Sequence, residues 1–131
     1  MRIVLDTNIF VSGIHWIGSS EKILRLWIEG KLVLISSIPI IDEIVKVLMN
    51  FKVPLEPEDI SWWESLILEK SIIVFPSEKV EIVVDKEDNK FLEAALEGKV
   101  QYLVSQDKHL LVLKEYRGIK IVHPDEFLKI I

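Results

Sequence analysis

No cysteine occurs in the 131 residues, which removes disulfides, thiolate metal sites and cysteine nucleophiles together. That absence suits a reducing cytoplasm, the expected location. The five glycines stand singly, so no glycine-rich loop can cradle phosphate. His15, His109 and His123 are scattered and lack metal-ligand spacing. Ser12, Ser36 and Ser37 show no nucleophile-elbow pattern, which argues against serine catalysis. No apolar run approaches the ~20 residues of a membrane span. Asp6 interrupts MRIVLDTN where a signal peptide needs apolar residues. A soluble protein without membrane contact is expected. Basic excess is missing too: the net charge of −5 argues against passive coating of nucleic acid. It leaves room for an enzyme that meets nucleic acid through metal ions.

Half the residues are hydrophobic, enough for a real core, and no composition break divides the chain, so one domain over 1–131 is expected. Short β-branched runs alternate with helical patterns. Ile3-Val4-Leu5, Leu32 to Ile35, Ile72 to Phe75, Tyr102-Leu103-Val104 and Ile119 to Val122 read as strands. Helices are expected from Ser20 to Gly30, after Pro39, after Pro57, from Asp85 to Leu96, briefly at Leu110–Leu113, and from Pro124. Uninterrupted apolar strands alternating with helices predict a three-layer α/β/α sandwich around a parallel sheet of about five strands. Sites in such sheets form beyond the carboxyl ends of strands, where the strand order reverses.

That rule directs attention to four acids. Asp6 and Asp107 each follow a strand; Glu43 and Asp88 lie near helix starts. Singly, each has a bland explanation, since Asp suits turns and acids complement the helix dipole. Together at one rim they would repel by about 4 kcal/mol per close pair at intermediate dielectric. Such a cluster persists only if some members are protonated or cations sit among them. Oxygen ligands without Cys or a well-placed His suit Mg²⁺ or Mn²⁺, as one or two ions. Two ions would neutralise four carboxylates and admit a phosphodiester for in-line displacement.

At this point the chain resembles the PIN-domain nucleases, and among them the stand-alone, VapC-like toxin-type proteins. The landmarks are Leu5-Asp6-Thr7-Asn8 with Val11-Ser12; Ser37 before Glu43-Ile44; Asp85 through Ala95 with Asp88; Tyr102-Leu103-Val104-Ser105-Gln106-Asp107; and a closing segment from Ile121 to Leu128. The resemblance implies that Asp6, Glu43, Asp88 and Asp107 hold the metal. Thr7 or Asn8 would orient them, and Ser105 would take the family's Ser/Thr position. It further implies an RNA substrate, a protein antitoxin and a homo-oligomer, commonly a homodimer. Asp85, one turn before Asp88, is read as an accessory acid or a cap. Gln106 departs from the small residue frequent there and could tighten the turn or narrow the pocket. Lys22, Arg25, Lys86, Lys90 and Lys108 are candidate backbone contacts, with His15 and His109 near the mouth. Trp62-Trp63 is read as core packing, with an aromatic interface as the alternative. Competing readings are an rRNA-processing or structure-specific DNA nuclease, a phospho-acceptor domain and a catalytically silent binding module.

Overall fold

A computed structural model describes residues 1–131. The strands are β1 (Arg2–Leu5), β2 (Val33–Ser36), β3 (Ser71–Ile73), β4 (Tyr102–Val104), β5 (Glu115–Tyr116) and β6 (Ile119–Val122). The helices are α1 (Thr7–His15), α2 (Ser19–Ile28), α3 (Ile38–Asn50), α4 (Pro57–Lys70), α5 (Asn89–Gly98), α6 (Lys108–Leu111) and α7 (Pro124–Ile130). No helix is long and apolar enough to cross a membrane.

The strands form one sheet in the order β3-β2-β1-β4-β6-β5. All neighbours are parallel except β5, which runs antiparallel to β6. This is the expected α/β/α architecture with a sixth, two-residue strand added. Arg117 and Gly118 take φ values of 49° and 87° and link Tyr116 to Ile119, the two-residue hairpin turn that needs positive φ at both positions. The inner strands are buried without interruption: Ile3, Val4, Leu103 and Val104 are fully inaccessible. That is why they read as continuous apolar runs rather than alternating ones.

α1 packs on α2 and α3, and α3 on α4, whereas α5 lies across β1, β2 and β4. Right-handed crossovers put α5 on the opposite face from α1–α4. α5 ends at Gly98, but glycine does not supply the left-handed residue there. Instead Lys99 takes the left-handed cap at φ 52°, and Gly98 lets the helix lie on the sheet, because a Cβ there would collide with the Ile35 side chain. The expected Asp85–Leu96 helix is also divided. A 3-10 turn over Lys86–Asp88 leads into α5, so the chain bends beside Asp88. The segment Thr7–His15, outside the helices expected from periodicity, is helical. Trp62 is 56% exposed while Trp63 packs against the core. Core packing of both fails because adjacent helical residues diverge by about 100°.

Candidate active site

The strand order reverses between β1 and β4: β2 and β3 lie to one side of β1, β4 and β6 to the other. Leu5 pairs with Val104, so both strands end together. The next residues continue the register, with Asp6 N–H donating to the Val104 carbonyl at 3.1 Å and Ser105 N–H to the Val122 carbonyl at 3.0 Å. Asp6 and Ser105 are therefore neighbours at the rim, both buried. The Ser105 hydroxyl donates to Asp6 Oδ2, and its oxygen accepts from Asp107 N–H at 2.9 Å. One serine thus holds the Asp6 carboxylate and the backbone of Asp107.

Three of the carboxylates also cap helical turns. Asp6 Oδ1 accepts from Asn8 N–H at 2.8 Å and starts α1. Asp107 Oδ1 accepts from His109 N–H at 2.8 Å and starts α6. Asp85 Oδ1 accepts from Glu87 N–H at 3.0 Å at the 3-10 turn. The capping explanation and the site explanation hold together, since capping occupies one oxygen of each acid. Glu43, in the second turn of α3, is positioned by side chains instead. Thr7 donates its hydroxyl to Oε2, and Lys90 Nζ stands 2.7 Å from Oε1.

Asp6, Thr7, Asn8, Glu43, Asp85, Asp88 and Asp107 line one cavity of about 260 Å³, with Val47 and Phe91 as its apolar part. All four sequence-identified acids, and Asp85, converge there. Crowding is visible in their protonation. Burial chiefly, then the negative charge of Asp107, lifts the Asp6 carboxyl to about 6, against the lowering pull of Ser105 and two backbone N–H groups. Asp88 rises to about 7 through burial chiefly, then a hydrogen bond with Asp107 that favours its protonated form, and the charges of Asp107, Asp85 and Asp6. No three acids are drawn together into a finished cation cage. Glu43 is held toward Lys90. The donor set is all oxygen and strongly anionic, so the residues fit a hard divalent ion of the Mg²⁺ or Mn²⁺ type.

Other expectations move. His15 does not reach the cavity; its nitrogens lie 2.7 Å from the Val11 carbonyl and 3.0 Å from the Val53 carbonyl, with its ring against Phe51. It fastens the 51–53 loop to α1. Arg25 pairs with Glu21 on its own helix, as i,i+4 spacing favours, so it is drawn away from the site. Lys22 is exposed on that helix. Gln106 lines a separate small cavity with Ser12, Trp16 and His123 and does not narrow the acidic one. Lys108 and His109 are exposed beside Asp107. Lys86 and Lys90 line a groove of about 600 Å³ along the same 86–90 segment, with Lys79.

The sequence reading missed Asn89. It is buried, and its Oδ1 accepts from Ile82 N–H at 3.2 Å and Val83 N–H at 2.9 Å. Asn89 thereby ties the 82–83 loop to the start of α5 beside Asp88. An amide flanked by charged residues carried no apolar signal that could have marked it as buried.

Residues 2–109 match the PIN domain. A protein of Methanocaldococcus jannaschii, the uncharacterised MJ1680, is 32% identical over 98% of this chain and 90% of its own length. Among solved structures, VapBC2 from Rickettsia felis, bound to a promoter DNA fragment, superposes with a TM-score of 0.65 at 17% identity, covering 94% of this chain and 98% of that one. PAE2754 from Pyrobaculum aerophilum gives 0.64 at 16%, covering 98% and 88%. VapBC-1 from nontypeable Haemophilus influenzae gives 0.60 at 15%, covering 95% and 99%. With the acids gathered at the switch point and the match running through all of them, this chain belongs to the PIN-domain family of nucleases.

Proposed function

We propose that the chain, as one domain over 1–131, is a divalent-metal-dependent endoribonuclease and the toxin of a toxin–antitoxin pair. The observation that carries this is the convergence of Asp6, Glu43, Asp88 and Asp107, from four separate segments, on one cavity at the sheet's switch point. Asp6, Asp88 and Asp107 would hold the ion, with Glu43 completing the set. When bound, such an ion lowers the pKa of a coordinated water and offsets charge on a departing oxygen. Ser105 holds the Asp6 carboxylate with its hydroxyl and the Asp107 backbone N–H with its oxygen. Asn8 contributes its backbone N–H to Asp6, and Thr7 holds Glu43. Asp85, exposed and capping the turn before Asp88, supplies accessory negative charge. Neutralising these acids is what lets a phosphodiester approach a chain of net charge −5.

Similarity to two VapBC structures supports a protein antitoxin as partner. A homo-oligomer and a cytoplasmic setting complete the reading. The test is cleavage of single-stranded RNA, ribosomal RNA and flapped DNA in parallel, with Mg²⁺ or Mn²⁺. Single-stranded RNA should be cut, and Asp6→Asn or Asp107→Asn should abolish cutting while the fold survives. Undiminished cleavage in either variant rejects the site, and preferential cleavage of flapped DNA rejects the substrate.

A further inference from the structure

A second cavity adjoins the acidic one at the 105–107 turn. Ser105 binds the Asp6 carboxylate and Asp107 lines the acidic cavity. Gln106, between them, lines a different cavity of about 160 Å³ with Ser12, Trp16, Ser20, His123 and Asp125. Sites for drug-sized ligands run to roughly 300–1,000 Å³, so this one suits a fragment no larger than a single base.

Several of its polar groups have no partner within the chain. Ser20 is 5% exposed, and its hydroxyl makes no hydrogen bond, a costly state for a buried donor. α2 starts after Gly18, which offers no side-chain cap, so the first N–H groups of that helix are open as well. His123 Nδ1 accepts from Asp125 N–H at 3.1 Å, which leaves Nε2 as its free nitrogen. Gln106 adds an amide that both donates and accepts. Trp16 is 52% exposed, yet its backbone N–H is fixed to the Ser12 carbonyl at 2.9 Å. Its ring is a ready stacking surface.

Open N–H groups at a helix start ordinarily suit an anion. The acids in this lining count against one. Glu21 is paired with Arg25, but Asp125 has only the Ser19 hydroxyl and, 3.6 Å away, the His123 ring. A phosphodiester can only accept, and it would meet the Asp125 charge. An uncharged ring that both donates and accepts satisfies the N–H groups and the carboxylate together. Base edges have that character. Adenine, cytosine and guanine also carry an amino group for which carboxylates and amide carbonyls are the usual acceptors; uracil has none.

The geometry points to this cavity as a subsite for one unpaired base beside the scissile phosphate, stacked on Trp16 and met at its edge by Ser20, Gln106 and Asp125. The subsite favours bases with an amino group over uracil. This deepens the ribonuclease reading above and rests on it for the strand that enters.

Two measurements on the full chain separate the subsite from the chemistry. In EDTA, millimolar adenosine or cytidine should shift the nuclear magnetic resonance signal of the Trp16 indole N–H, assigned by its loss in Trp16→Phe. Uridine and inorganic phosphate should leave it in place. With Mn²⁺, sequencing the ends cut from a randomised single-stranded RNA pool should show uracil depleted several-fold at one position flanking the cut. Gln106→Ala and Trp16→Ala should return that position to an even distribution, a ratio that does not depend on each variant's overall rate. Ser20→Ala, which deletes only the unpartnered hydroxyl, should weaken the bias. A response to uridine equal to that to adenosine, a shift with phosphate alone, or an even distribution in the wild type overturns the inference while cleavage stands. Nucleoside shifts in EDTA without any cleavage in Mn²⁺ keep the subsite and overturn the nuclease reading.

Discussion

Replacing Asp6 by asparagine should stabilise the metal-free protein at neutral pH, although the residue lies at the centre of the site. Asp6 is 3% exposed, and its carboxyl titrates near 6 in the fold against 3.8 ordinarily. Because the folded value is raised, the native state binds more protons than the unfolded chain between about pH 4 and pH 6, and stability falls as pH rises through that window. The shift is roughly two pH units, worth about 3 kcal/mol above pH 6. Asparagine carries no charge there. Its carbonyl oxygen can still accept from Asn8 N–H, and asparagine is a good N-cap. The Ser105 hydroxyl, now donating to Asp6 Oδ2, can rotate to accept from the new amide.

Urea unfolding in EDTA at pH 4.5 and pH 7.5 measures the difference. Asp6→Asn should gain little at pH 4.5 and about 1–3 kcal/mol at pH 7.5, since imperfect replacement of the Ser105 hydrogen bond offsets part of the relief. Saturating Mn²⁺ should reverse the order, because an ion bound only by the native wild type at a hundred times its Kd adds about 2.7 kcal/mol. A gain independent of pH, or a loss at pH 7.5, would show that the carboxylate is not under the stress ascribed to it.

Ser105→Ala removes a hydrogen bond that favours the ionised Asp6; the acidic limb of the cleavage pH profile should move to higher pH, read from initial rates across a buffer series. Gly98→Ala forces α5 off Ile35 and should cost about 1–3 kcal/mol, as overpacked positions do, measured by urea unfolding. Trp27→Phe keeps the apolar contact with Phe10 but leaves the Lys70 carbonyl without its 3.0 Å donor; a loss near 1 kcal/mol is expected in the same assay. Asp107→Asn and Asp107→Ala should both end cleavage, but only the alanine variant should lose the α6 cap, about 1 kcal/mol by thermal unfolding.

The layers were legible because burial leaves a plain mark. β4 and β6 occupy the expected residues; β4 is a short apolar run, and β6 keeps Ile119, Ile121 and Val122 buried around an exposed Lys120. Three departures have distinct physical causes. The helix Thr7–His15 is capped by Asp6, whose place after a strand fits a turn or a site acid equally well and so does not by itself mark a helix start. β5 is two residues long and turns through Arg117, a residue type that does not announce positive φ. Asp85–Leu96 has continuous helical spacing, yet the Asp85 cap and the Asn89 ties to Ile82 and Val83 set a 3-10 turn before α5.

The site was legible at the level of charge and opaque at the level of pairing. Four acids placed after strand ends or near helix starts must meet if the strands bearing Asp6 and Asp107 are adjacent, and Leu5 beside Val104 provides that adjacency. Nothing in the order of residues told Lys90 from Lys86, although one is nearly enclosed against Glu43 and the other is exposed. Asp88 closes the 3-10 turn and Lys90 lies in the first turn of α5. Lys90 meets Glu43 across 47 positions of sequence, a pairing set by the packing of α3 near α5, which periodicity along the chain does not report.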